Sequence, residues 1–166
     1  MRPPHPHSPR VAQGSDRFGE IRSMGISTLC FKVSAQDTCG QLFLIEQTMH
    51  APGGPPRHVH LEQDEWFYAL EGEYIVEIAD ERATLYPGDS LLAPRQVPHR
   101  WAYVGDGIGR LLVGFTPAGQ MEAFFREVTK TNAMPVQDPE LWRAHGMEVV
   151  GPPLLGAPAQ RIPGPT

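Results

Sequence analysis

Cysteine is nearly absent from this 166-residue chain, which carries only Cys30 and Cys39. Two thiols in a domain of this size exclude a disulfide scaffold, and their spacing matches no zinc motif, so both are expected to be reduced. Runs of Lys and Arg are missing as well, and the formal net charge is -5. That balance removes the electrostatic footprint of a nucleic-acid binder and favours a small-molecule ligand. No apolar stretch approaches the roughly 20 residues needed to cross a bilayer, and the first residues lack the apolar core of a secretory signal. The expectation is a cytoplasmic protein that engages neither nucleic acid nor membrane.

Proline is plentiful but unevenly placed. Residues 1–10 hold four prolines and residues 151–166 hold five, so segments 1–16 and 151–166 are expected to be extended tails that add nothing to the core. The remainder fits one domain.

Within that domain, short alternating or apolar runs recur at 41–49, 65–70, 74–79, 83–86, 89–93, 101–104 and 110–116. Turn signals separate them, among them Pro52-Gly53-Gly54-Pro55-Pro56, Glu71-Gly72, Pro87-Gly88 and Gly105-Asp106-Gly107. Many short strands with regular punctuation predict an all-β sandwich or barrel over 17–117. The pattern changes after residue 118, where Met121, Phe124, Phe125 and Val128 form a helical apolar stripe. Thr116-Pro117 reads as its N-cap and first position. A second short helix is expected from Pro139 to His145, capped by Asp138. The helical segment, 118–150, is expected to pack on the barrel or on a partner subunit.

The chemistry concentrates in four residues. His58 and His60 are two apart, which on a strand puts both imidazoles on one face. Glu65 follows a polar stretch and opens the next apolar run, and His99 follows a proline-rich turn. Three imidazoles and a carboxylate can close on one divalent transition-metal ion and leave coordination positions open. Ligand type favours no single metal, since iron, manganese, nickel, zinc, cobalt and copper all accept this set. Iron, manganese or nickel would permit oxygen chemistry, whereas zinc has no redox couple.

Other candidates weigh less. His5 and His7 are proline-flanked with no carboxylate partner, His50 precedes a Pro/Gly turn, and His145 falls near a helix C-terminus. Glu62 and Asp64 are expected to face solvent. Trp101 and Tyr103 share strand parity with His99, and Phe67 shares it with Glu65, so these rings are expected either to wall a substrate site or to fill the core. Trp66 and Tyr68 should point the other way.

His58-x-His60-x4-Glu65-x6-Gly72 resembles the first signature of the cupin superfamily, and Gly88-x5-Pro94-x4-His99 resembles the second. The resemblance is close over residues 53–103. It departs where Pro52 replaces the usual opening Gly, where Gln96 replaces a Gly, and where Tyr103 replaces the closing Asn. None of these is a ligand position. The resemblance implies a single-domain jelly-roll β-barrel with His58, His60, Glu65 and His99 as metal ligands. The arrangement also resembles single-domain quercetin 2,3-dioxygenase-like cupins, which implies a dioxygenase acting on a flavonol or other enolic aromatic molecule. Glu65 would then be both ligand and catalytic base, with Phe67, Trp101 and Tyr103 enclosing the substrate ring; Gln63, by its place in the ligand loop, is a further candidate contact to a bound ligand. It also implies a homodimer, paired through a sheet edge or through a swapped strand carrying Ile26, Leu29, Phe31 and Val33. A non-catalytic metal-containing binding protein and a metal-dependent isomerase or lyase are the alternatives.

Overall fold

The computed structural model describes residues 9–155, and the pair His5 and His7 lies outside them. Eleven strands run in chain order: β1 (Arg22–Ser23), β2 (Ser27–Val33), β3 (Phe43–Met49), β4 (Pro56–His60), β5 (Asp64–Glu71), β6 (Tyr74–Ile78), β7 (Glu81–Leu85), β8 (Ser90–Ala93), β9 (His99–Tyr103), β10 (Gly109–Thr116) and β11 (Met147–Pro153). Two helices, α1 (Met121–Val128) and α2 (Pro139–Ala144), lie between β10 and β11. The strands form a six-stranded sheet in the order β1-β2-β3-β10-β5-β8 and a five-stranded sheet in the order β11-β4-β9-β6-β7. Every pairing is antiparallel. This is the all-β architecture the turn spacing predicts.

Period-two alternation sorts side chains between the inside and the surface. Leu29 and Phe31, Phe43 and Ile45, Phe67 and Ala69, Tyr74 and Val76, and Leu111, Val113 and Phe115 are all buried. Each fully buried side chain of Leu, Ile or Phe size contributes about 1.5–3 kcal/mol, so this double-sided interior is the main source of stability. Register fixes which rings meet: β10 sets Phe115 opposite Phe43 on one side and Glu65 on the other.

One end of the barrel is filled by Tyr103. Its ring lies 5.4 Å from that of Tyr74, and a Cβ at either Gly72 or Gly109 would stand 2.6 Å from it. Glycine at these two positions is therefore a packing requirement. On the outer face of the smaller sheet, Glu77 accepts from Arg100 Nε at 2.6 Å and from Arg82 Nε at 3.0 Å, tying β6, β7 and β9 together.

Two expectations need correction. Thr116 belongs to β10, paired with Asp64, so Thr116-Pro117 does not start the helix. Helix α1 begins at Met121, with Gln120 at its N-cap. The chain also returns as a strand at Met147–Pro153, where the sequence reads as the end of a helical segment and the start of a tail. Its prolines fall where strand register shifts along the sheet edge, a place that tolerates a missing backbone donor. Asp138 does cap α2, accepting from the backbone N–H groups of Glu140 and Leu141 at 3.1 and 3.3 Å. Strand β2 pairs with β3 of its own chain along Ser27–Val33.

Candidate metal centre

Three strands build the site. His58 and His60 project inward from β4, and Glu65 projects inward from the start of β5. His99 begins β9 directly opposite His58, the one Cα pairing that joins β4 to β9. The two motifs, some forty residues apart in sequence, thus become cross-strand neighbours, with His58 and His99 ring centroids 4.5 Å apart.

All three imidazoles aim Nε2 at one carboxylate oxygen. Glu65 Oε2 lies 2.6 Å from His99 Nε2, 3.0 Å from His60 Nε2 and 3.7 Å from His58 Nε2. One donor atom from each residue falls within 4.8 Å of all the others. Backbone carbonyls orient two of the rings from behind: His58 Nδ1 donates to Pro56 O at 2.7 Å, and His99 Nδ1 donates to Val97 O at 3.1 Å. Each acceptor belongs to the residue two places earlier in the chain. Such a bond leaves Nε2 as the atom free to bind a cation. His60 Nδ1 is buried without a partner.

The centre is closed to solvent, with His58, His60, Glu65 and His99 between 1% and 4% exposed. Burial penalises charge on Glu65, but the three imidazoles outweigh it and hold its carboxyl well below the usual carboxylate range. Burial lowers the pKa of His58. At His99 burial acts the same way, yet the hydrogen bond and charge of Glu65 outweigh it and raise its pKa. A buried donor set of three imidazoles, two of them oriented by backbone carbonyls, and one ionised carboxylate suits a single transition-metal ion.

The other sequence candidates separate. Phe67 is fully buried, with its ring 6.3 Å from that of His99 and 6.5 Å from that of Trp101. Trp101 lies one step deeper along β9 and packs on Tyr74 at 6.1 Å. Tyr103 is four residues beyond His99 on one strand, roughly 13 Å away at the rise of an extended chain, and fills the far end. Strand parity places it inward but says nothing of depth. Gln63 is buried in the turn between β4 and β5, with Oε1 unpartnered and its amide against Gly119. Glu62 is exposed, and Asp64 pairs with Arg95 at 3.1 Å, away from the centre. His50 sits at the barrel surface, its Nε2 3.2 Å from Thr28 Oγ1. His145 is the C-cap of α2, with Nδ1 donating to Leu141 O at 2.8 Å.

The sequence reading overlooks three rings around the cluster. Phe115 stands 5.6 Å from His60, Trp142 stands 5.0 Å from His58, and Phe124 stands 5.0 Å from Trp142. The inward parity of Phe115 on β10 is legible, but its place beside Glu65 depends on strand register. Trp142 reaches His58 only because β11 pairs with β4 and brings α2 back across the site.

Residues 45–115 match the family model described as the cupin domain. No curated protein matches the chain. Among solved structures, an RmlC-like cupin from Shewanella frigidimarina is 23% identical, with a TM-score of 0.54 over 69% of this chain and 96% of its own. A sugar phosphate isomerase from a cupin superfamily, from Silicibacter pomeroyi, is 20% identical, with a TM-score of 0.53 over 65% of this chain and 75% of its own. A predicted oxalate decarboxylase from Thermotoga maritima is 14% identical, with a TM-score of 0.53 over 59% of this chain and 90% of its own. At these identities the likeness is one of fold.

Proposed function

From the premise that residues 45–115 form a cupin domain in an all-β cupin fold, we propose that this chain is a metal-dependent dioxygenase acting on a planar, enolic aromatic molecule of the flavonol type. The observation that carries the reading is the convergence of three Nε2 atoms on Glu65 Oε2 inside a buried centre bordered by Phe67, Phe115 and Trp142. Donors of this kind suit a redox-capable ion, and the rings beside them suit an apolar ring better than a polyhydroxylated sugar or a small dianion.

His58, His60, Glu65 and His99 would hold the ion. Bound there, iron, manganese or nickel would supply a Lewis acid and a one-electron couple. The protein supplies the rest. Glu65 is the group placed to take a hydroxyl proton, because all three rings address Oε2 and leave Oε1 outside those contacts. An enolic hydroxyl is acidic enough to yield its proton to a carboxylate within hydrogen-bond reach. Exclusion of water by the surrounding rings strengthens each electrostatic contact inside. Gln63 Oε1, buried and unpartnered, is the acceptor available to a second substrate hydroxyl.

The test is oxygen uptake by protein loaded in turn with iron, manganese, nickel and zinc, with quercetin as substrate. Uptake with a redox-capable ion and none with zinc supports the proposal; no uptake with any ion overturns it.

A homodimer belongs to the same proposal. Because β2 is already paired within its own chain, the exposed sheet edges are the places left for a second copy. Sedimentation at micromolar concentration is expected to give twice the chain mass, and a monomer contradicts it.

A further inference from the structure

The four buried residues of the centre raise a question of access, since nothing larger than water reaches a cluster that is at most 4% exposed unless something above it moves. The element above it is α2. Trp142 stands at the junction, with its ring 5.0 Å from His58 on one side and 5.0 Å from Phe124 of α1 on the other. From Phe124 a run of rings continues through Phe125 at 5.5 Å and Phe115 at 5.8 Å, and returns to His60 at 5.6 Å. The His58 and His60 rings are 5.1 Å apart. Six aromatic rings thus form a closed belt that begins and ends on two residues of the cluster.

The members of this belt are not equally held. Helix α1 buries Met121, Phe124 and Phe125, and Phe115 is fixed on both sides within its sheet. Helix α2 is six residues long and has no buried residue. Residues 130–140, which lead into it, are all exposed. The connection is anchored where Asn132 Oδ1 accepts from Ser23 N–H at 2.8 Å. It is anchored again at Gly146, whose carbonyl accepts from Leu61 N–H at 3.0 Å and whose φ is +78°. Between these two points Leu141 and Trp142 pack on the core and the His145 ring lies 5.7 Å from Phe124, but among the described residues no hydrogen bond ties 134–145 to the barrel, so α2 is the part of the belt that moves at least cost.

We infer that Trp142 is the gate and the specificity-determining residue of the centre. The indole closes the site over His58, and an entering molecule takes its place by lifting α2 between Asn132 and Gly146. The replacement has to restore the stacking that His58 and Phe124 lose, which a planar aromatic ring does and a compact polar molecule does not. The identity of the substrate rests on the proposed function above; the gate rests on geometry alone.

Accessibility tests the gate without any turnover. In chelator-treated full-length protein, diethyl pyrocarbonate is expected to modify His58 at least tenfold faster in Trp142→Ala than in wild type, as read from the peptide containing residues 58 and 60. Trp142→Phe, which keeps a ring, is expected to stay within threefold of wild type. So is Trp66→Ala, on the outer face of the larger sheet. Asp138→Ala, which removes the cap of α2 without touching the indole, is expected to shift the rate in the same direction as Trp142→Ala and serves if that variant fails to fold. Because the indole no longer has to be displaced, quercetin affinity is expected to rise at least threefold in Trp142→Ala and to stay within threefold of wild type in Trp142→Phe. Wild-type modification of His58 as fast as that of exposed His50, an unchanged rate in both Trp142→Ala and Asp138→Ala, or quercetin affinity that does not rise in a folded Trp142→Ala overturns the inference. Metal content is read on the same samples: wild type that binds no ion, with the modification rates as expected, overturns the metal reading and leaves the gate standing.

Discussion

Glu65 offers a single oxygen, Oε2, to His99 Nε2 at 2.6 Å, and the same oxygen lies 3.0 Å from His60 Nε2. One carboxylate therefore organises side chains from both halves of the site. Glu65→Gln keeps the shape but removes the charge that draws the imidazoles and an ion together. Metal affinity is expected to fall at least 10-fold, as it does when a group that tunes a metal site is lost. Turnover is expected to fall by about 10²–10⁴, the range for loss of a positioned base. Calorimetric metal titration and oxygen uptake check the two effects separately. Wild-type turnover in the metal-loaded variant would exclude Glu65 as the base.

Tyr103 serves as a control for position. It lies at the end of the barrel remote from the centre, packed on Tyr74 between Gly72 and Gly109. Tyr103→Ala leaves a large void there and is expected to cost about 3–5 kcal/mol in chemical denaturation, as for other large-to-Ala changes in a core. Metal affinity, measured below the melting transition, should stay at the wild-type value. A selective loss of metal binding would place the ring at the site.

Acid should weaken the join between α1 and the loop after β2. Glu122 accepts from Ser34 Oγ and from the Ala35 N–H, both at 2.8 Å, and pairs with Arg126 at 2.8 Å. Burial opposes its charge, but these bonds outweigh it and lower its pKa. A carboxyl with a folded pKa below its unfolded value adds stability that is fully present above the unfolded value, about 4.3. That stability is lost as pH falls through the folded value. Thermal melts from pH 6 to pH 3 are expected to show a steeper fall in wild type than in Glu122→Gln. Parallel curves would contradict the assignment.

Strand periodicity, turn residues and the helical stripe at Met121, Phe124, Phe125 and Val128 are local signals, and all are readable in the chain. The donors His58, His60, Glu65 and His99 are readable for the same reason: parity on a strand determines the face on which a side chain emerges. Depth is another matter. His99 and Tyr103 share a face but sit at opposite ends of β9, and only the register with β4 and β6 tells them apart. Strand β11 was hidden because prolines and glycine mask an edge strand whose pairing partner is some ninety residues away. With β11 hidden, so was the position of Trp142 over His58. Thr116-Pro117 has the composition of a helix start, but pairing with β5 claims Thr116 for the sheet.

The most direct test of the central claim is elemental analysis of untagged wild-type protein beside the His58→Ala/His60→Ala variant, both purified without chelator. The account predicts close to one transition-metal ion per wild-type chain, and a folded variant with none, because Glu65 and His99 alone cannot retain an ion. Equal metal in both proteins, or a wild type that binds none after incubation with iron, manganese, nickel and zinc, would contradict it.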